Sequence, residues 1–232
     1  MNARASMEKR PDEVAAMFDE VAPAYDRTNA LMTFGMERRW RAKVADALAL
    51  RRGDRVLDLA AGTGASTRAF DRDGVVAIGV DFSLGMLRAG RERGVRLPLV
   101  AGDGLALPFA SEAFDATTIS FGLRNVADTT LCLRELARVT RPGGRLVVCE
   151  TSRPASRVMR LGHRIWMRRG MPLVARMVSS DAAAYRYLAE SSLAWPEPPA
   201  LASIIVAAGW TSVTWSQLAG GAVALHAATK PA

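Results

Sequence analysis

The chain has 232 residues, half of them hydrophobic, with 31 Lys and Arg against 23 Asp and Glu for a formal net charge of +8, and only two cysteines. That is enough apolar material for one sizeable core with a small appended element, and too little for two full domains. Cys132 and Cys149 are too few and too far apart for a disulfide framework or a zinc site, and they read as buried thiols.

In chain order, residues 1–10 are polar and charged and lack the apolar core of a secretion signal. Residues 12–25 carry Val14, Met17, Phe18 and Val21 at helical spacing, and a second helix is expected over 38–50. Strand and helix patterns then alternate, with strands at 56–59, 75–80, 97–101, 116–120 and 145–149 and helices that include 84–93 and 129–140. Such alternation predicts an α/β fold of right-handed βαβ units, a mostly parallel sheet covered on both faces. After Glu150 come helical segments and two strand-like runs, 211–217 and 222–229, joined through Gly220 and Gly221 as a hairpin that closes the sheet. Residues 198–229 hold no charged side chain, but Gly209, Gly220, Gly221 and several Ser and Thr break the run below the ~20 apolar residues of a membrane span. A soluble, cytoplasmic protein is the expectation.

The first strand runs into Asp58, Gly62, Thr63 and Gly64, and the second ends at Asp81. A glycine-rich turn that leads into a helix turns backbone N–H groups toward a ligand, and an acidic residue ~20 positions on can take both hydroxyls of a ribose. The position for a third glycine holds Thr67, which disfavours a dinucleotide, and no Lys-Ser/Thr pair follows for a triphosphate. Asp58 suits a ligand that carries an ammonium, because a carboxylate beside phosphates repels them. With a third strand end at Asp103-Gly104, the set points to S-adenosylmethionine.

Thr118-Ile119-Ser120-Phe121-Gly122-Leu123-Arg124-Asn125-Val126 is similar to the internal signature of the ubiquinone/menaquinone biosynthesis C-methyltransferases. Tyr25-Asp26-Arg27-Thr28-Asn29, with Gly35 and Arg39-Trp40, resembles their N-terminal signature. The likeness continues through Arg141-Pro142-Gly143-Gly144-Arg145, Ala184-Tyr185, Tyr187-Leu188-Ala189-Glu190-Ser191 and residues 220–226. It implies a class I S-adenosylmethionine-dependent methyltransferase fold, Rossmann-like, seven-stranded and mostly parallel. It also implies a methyl acceptor that is a prenylated quinol, with demethylmenaquinol favoured by likeness to the actinobacterial branch. By matching position, Thr63, Asp81, Asp103, Gly104 and Ser120 would bind the cofactor. Two positions depart from the pattern: Glu37 stands where a histidine is common, which argues against a base there, and Thr151 where an aromatic residue usually follows Glu150.

The resemblance makes the chain a single methyltransferase domain, with a helical lid over 1–50, a cofactor-binding core over 51–150, and a basic helical insertion with the last strands over 151–232. A quinol hydroxyl titrates near pH ~10, so forming its anion at pH 7 costs about 4 kcal/mol at 1.36 kcal/mol per unit. Arg124 is the candidate to favour that anion, Asn125 to orient the second oxygen, and Tyr25 to lie on the ring from the lid. Of the two histidines, His163 reads as a surface residue and His226 as a core one.

Residues 151–180 contain seven arginines and no acidic residue, so nearly all of the net charge sits there. Arg153, Arg157, Arg160, Arg164 and Arg168 recur at helical spacing, and Pro154 suits a first turn. A basic amphipathic helix of this kind fits an anionic membrane surface, making the protein peripheral on the inner face of the cell membrane. No aromatic stacking series or reader motif accompanies the charge, so nucleic acid is not expected as a partner. Homo-oligomerisation is left open. Other readings of the chain are methylation of a benzoquinol or another small aromatic, and an RNA-associated or regulatory protein.

Overall fold

The structure is a computed structural model that describes residues 8–72, 74–154, 156–170 and 182–232. Arg176, one of the seven arginines of residues 151–180, and the side chain of Tyr185 lie outside the described residues.

Seven strands form one sheet: β1 (Arg55–Leu59), β2 (Val76–Asp81), β3 (Leu99–Ala101), β4 (Phe114–Ser120), β5 (Thr140–Thr151), β6 (Thr211–Leu218) and β7 (Val223–Thr229). Their order is β3-β2-β1-β4-β5-β7-β6, parallel from β3 through β5, with β7 antiparallel to both β5 and β6. The chain therefore starts in the middle of the sheet, runs out to one edge through β2 and β3, and returns to lay β4 on the other side of β1. At the β6–β7 hairpin Ala219, Gly220 and Gly221 all have positive φ, the conformation that the paired glycines announce.

Among the described residues the helices are α1 (Pro11–Val21), α2 (Tyr25–Met32), α3 (Glu37–Leu48), α4 (Leu84–Glu92), α5 (Thr129–Val139), α6 (Arg157–Ile165), α7 (Ala182–Ala194) and α8 (Pro198–Ala207). Successive strand residues point to opposite faces, so Leu57, Leu146 and Val148 pack with Leu133 and Leu136 of α5 and Leu201 and Ile205 of α8, whereas Val56 and Val147 pack with Val44 and Leu48 of α3. A further cluster joins Val14, Met17, Phe18 and Val21 of α1 to Met86 of α4 and Leu188 of α7. Ser83 caps α4 by accepting from Met86 N, and Asp19 of α1 accepts from Gly85 N at 2.8 Å and the Ser83 hydroxyl at 2.6 Å. The N-terminal helices are thereby fixed onto the loop that follows β2.

Three expectations change. The helix expected over 12–25 is two helices, because Pro23 lacks the N–H a continuing helix needs. After β1 the glycine turn meets no long helix but only a 3₁₀ turn, Thr67–Phe70, so no helix macrodipole stands behind the motif. The arginine run is not one helical face either. Ser156, extended at φ −65 and ψ 130, delays the start of α6 to Arg157, and residues Trp166–Gly170 form a wider π turn. Arg153 lies before the helix and donates to Leu193 O, Pro154 is outside the first turn, and Arg168 follows the last regular turn.

Candidate functional site

A cavity of about 340 Å³ opens at the carboxyl ends of β1 and β4, where the strand order reverses and open α/β sheets hold their ligands. Two loops form its floor. Ala60 and Phe121, one residue past β1 and β4, both adopt φ of 56°, which is uncommon for residues with a Cβ. They bring the two loops so close that a Cβ on Gly122 would sit 2.3 Å from that of Ala60. Backbone strain of this order, about 1–3 kcal/mol per residue, persists where surrounding structure imposes it. Here Ala61 N donates to Val80 O and Phe121 N to Cys149 O.

Of the residues expected at the site, Tyr25, Gly62, Thr63, Ser120 and Arg124 line the cavity. Gly62 has φ +57 and nothing stands within 4 Å of where its Cβ would be, so a ligand can approach the turn closely. Tyr25 meets Phe18 edge-on with centroids 6.1 Å apart. The Thr63 hydroxyl donates to Asp26 of α2 at 2.9 Å, and Arg93 reaches the same carboxylate at 3.1 Å and donates to Ala22 O and Pro23 O. These contacts hold the start of α2 over the glycine turn.

Asp58, Gly64, Asp81, Asp103, Gly104 and Asn125 do not line the cavity. Asp58 is 1 % exposed and its Oδ2 accepts the Thr67 hydroxyl at 2.7 Å, while Oδ1 has no partner. Thr67, in place of a third glycine, thus ties the turn back to its own strand. Close packing there falls instead to Gly79 of β2, where a Cβ would meet Thr67 Oγ1 at 2.8 Å. Burial, reinforced by the charge of Asp81, pushes the Asp58 carboxyl up to about 7 against the pull of the Thr67 bond. Asp58 therefore acts inside the fold and offers no carboxylate to a ligand ammonium, contrary to the expectation. Asp81 is also buried, and its carboxylate accepts Gly62 N and Ser83 N, both from the loops around it. Burial raises it to about 6, against the two backbone bonds. Asp103 is exposed at the end of β3 and accepts from Leu105 N, and Gly104 packs on Leu59 and Cys132.

Arg124 is 7 % exposed, and its Nη1 donates to Glu150 Oε1 at 2.6 Å and to Phe121 O at 2.7 Å. Glu150, wholly buried, also accepts from Thr151 N and Arg124 N. The guanidinium is therefore neutralised on one side by a carboxylate that the sequence reading had not paired with it. Asn125, one residue on, is buried off the cavity with Oδ1 unpartnered, so the fold does not bring it to an acceptor oxygen. His163, expected at the surface, is half-buried on the cavity wall, and burial holds it below its ordinary value. His226 is a core residue: Nε2 bonds Pro198 O at 3.0 Å and the ring stacks on Trp215. Both cysteine thiols are buried and raised by burial, though Cys149 also borders the cavity.

Sequence reasoning missed most of the remaining wall, including Met32 at the end of α2, Thr33 and Phe34 in the turn after it, Glu37, Trp40 and Arg41 from α3, and Trp166 and Met167 after α6. Trp40 packs on Phe121 with centroids 5.5 Å apart, and Trp166 on Phe34 at 5.3 Å. The cavity is a polar turn at one end and an aromatic slot toward the other. The residues present fit S-adenosylmethionine: a Cβ-free turn, two hydroxyls on the wall at Thr63 and Ser120, and a ribose-type carboxylate at Asp81 behind Gly62 that keeps lone pairs on both oxygens.

The model of the ubiE/COQ5 methyltransferase family matches residues 4–230. The chain belongs to that family. Among its relatives, the demethylmenaquinone methyltransferase of Corynebacterium kroppenstedtii is 55 % identical over 229 residues, which are 99 % of each chain. That of Mycobacterium sp. strain KMS is 54 % identical over the same length and coverage. The fold recurs in an S-adenosylmethionine-dependent methyltransferase from Thermotoga maritima, at 18 % identity and a TM-score of 0.68, over 94 % of this chain and 99 % of that one. A Haemonchus contortus phosphoethanolamine N-methyltransferase bound to S-adenosylhomocysteine gives 14 % identity and a TM-score of 0.61, over 84 % and 53 %. The fold is thus the class I methyltransferase fold, and the chain is a methyltransferase.

Proposed function

We propose that this enzyme transfers a methyl group from S-adenosylmethionine to a ring carbon of demethylmenaquinol, giving menaquinol. The observation that carries the substrate is the full-length similarity to demethylmenaquinone methyltransferases, and the aromatic slot beside Ser120 is consistent with a flat ring. Bound S-adenosylmethionine supplies an electrophilic methyl on its sulfonium. Gly62, Thr63 and Ser120 hold it from the cavity wall, with Asp81 as the ribose acceptor once the loop moves off it. Asp103 and Gly104 extend the site at the end of β3, and Asp58 and Gly64 shape the turn from within.

Methyl transfer to carbon needs alignment and charge placement more than covalent help. Arg124 donates through Nη1 to Glu150 and Phe121, its Nε has no hydrogen-bond partner among the described residues, and its guanidinium on the cavity wall is the cation available to a quinol oxygen. Tyr25, Trp40 and Phe121 enclose the ring, and α1 to α3 act as a lid that excludes water. The reading assigns no catalytic part to Asn125 beyond completing the turn after β4.

Among the described residues no helix is long and apolar enough to cross a membrane. On α6, however, Val158, Leu161 and Ile165 are 81 %, 58 % and 51 % exposed, on a helix that also carries Arg157, Arg160 and Arg164. This pattern supports a helix that lies on an anionic bilayer beside the mouth framed by Phe34 and Trp166, where a prenyl tail would remain in lipid. Cells that lack the protein should accumulate demethylated menaquinone and recover menaquinone on complementation. Unchanged quinones would refute the proposal.

A further inference from the structure

Replacing a ring hydrogen by methyl leaves one proton to remove, and the residue that takes it is not among those considered so far. Apart from the phenol of Tyr25, which must first lose its own proton, the groups on the cavity wall able to accept one are, among the described residues, Asp26, Glu37, Cys149 and His163. Asp26 is committed to the Thr63 hydroxyl and the Arg93 guanidinium. The Cys149 thiol is pushed far up by burial and is not an anion. His163 sits on α6 three residues before Trp166, which packs at a tilt against Phe34, itself 72 % exposed. Glu37 differs from all of these. It is 9 % exposed, opens α3 on the cavity wall, and among the described residues has one hydrogen bond, at 2.5 Å between Oε2 and the Thr33 hydroxyl, which also lies 2.8 Å from Asn29 O. One turn further along α3, Trp40 packs on Phe121, the residue after Ser120, so Glu37 stands on the stretch of wall between rim and cofactor turn.

We propose that Glu37 is the acceptor of the ring proton, an inference that rests on the quinol reading above. The quinol, as its phenolate after loss of the hydroxyl proton to solvent, gives a ring-carbon electron pair to the methyl group. The methyl–sulfur bond breaks with its pair going to sulfur, leaving S-adenosylhomocysteine and a dienone whose ring carbon carries both hydrogen and methyl. The C–H pair returns to the ring, the proton passes to the Glu37 carboxylate and then to solvent, and the quinol oxygen is reprotonated. Because this last step restores aromaticity, the C–H is strongly acidic, and a carboxylate is base enough. Among the described residues, the other charged or titratable side chains on the cavity wall include Asp26 of α2, Arg41 one turn along α3, Arg124 after β4 and His163 of α6.

The test uses the full chain with S-adenosylmethionine and a short-chain demethylmenaquinol in single turnovers from pH 4 to 9, with Glu37→Gln, Glu37→His and His163→Gln. Glu37→Gln should slow formation of the rearomatised methyl quinol by about 100-fold, within the usual range for a lost general base, while S-adenosylhomocysteine formation, which precedes proton loss, and cofactor affinity by calorimetry stay within about threefold. Glu37→His should recover much of the rate and move the acid limb of the profile upward, toward the imidazole range, which a merely structural contact with Thr33 would not do. A Glu37→Gln rate of methyl quinol formation within threefold of the parent, or an acid limb that stays in Glu37→His and vanishes in His163→Gln, overturns the assignment while leaving the quinol reading intact. A parent enzyme that methylates no quinol overturns both.

Discussion

Removing the guanidinium of Arg124 should cost stability as well as turnover, because the same group that faces the cavity also neutralises Glu150. In Arg124→Met the apolar stem is retained, so the loss isolates the charge. Glu150 is 0 % exposed and would keep two backbone donors, Thr151 N at 2.7 Å and Arg124 N at 3.3 Å, with Lys9 acting on it through space but no hydrogen-bonded cation among the described residues. Stripping one partner from a buried pair costs about 3–5 kcal/mol, and the surviving donors place this case near about 3. At roughly 2–4 °C per kcal/mol for a chain of this size, the midpoint should fall by about 6–12 °C. Glu150→Gln added to Arg124→Met removes the stranded charge and should recover most of the loss, a coupling of about 2 kcal/mol in a double-mutant cycle by urea denaturation. Methyl transfer should stay at least about 100-fold down in both variants. A stability loss below about 1 kcal/mol with no coupling would refute the view of the pair as a buried, mutually dependent unit.

Three other perturbations separate the parts of the site. With its folded value near 7 against an ordinary 3.8, the Asp58 carboxyl keeps a proton that the unfolded chain releases, so its contribution to stability is full below about pH 4 and is lost as pH rises through 7. Asp58→Asn should therefore gain on the parent between pH 5 and pH 8, by at most about 4 kcal/mol, and parallel pH curves in urea melts would contradict the raised value. Asp26→Asn weakens the contacts of α2 with Thr63 and Arg93, which are partly exposed, so it should cost under about 1 kcal/mol of stability yet speed cofactor exchange in stopped flow; an unchanged exchange rate argues against a lid. Leu161→Asp, on the exposed side of α6, should abolish sedimentation with anionic vesicles without moving the thermal midpoint, and retained binding would refute the membrane role of that helix.

The sheet was legible because apolar runs with turn punctuation report strands directly, and all seven expected strands form. The paired glycines at Gly220 and Gly221 likewise marked the last hairpin. What was not legible is which groups meet across the fold. Glu150 pairs with Arg124 from 26 positions away on the neighbouring strand, a contact no periodicity encodes. Asp58 looked like a ligand group because it opens the glycine motif, yet strand alternation turns it inward, where Thr67 holds it. Glu37 was discounted from its departure from a signature, whereas its place on the wall follows from how α3 is laid over the sheet through Val44 and Leu48. Pro23 was a signal available in the sequence, and it would have divided the first helix.

The most direct test of the central claim is a single turnover of purified enzyme with methyl-labelled S-adenosylmethionine and demethylmenaquinol, the product read by mass spectrometry. The account predicts one labelled methyl on the naphthoquinol ring carbon and S-adenosylhomocysteine in equal amount. Label found only on a benzoquinol analogue, or on no quinol at all, would contradict it.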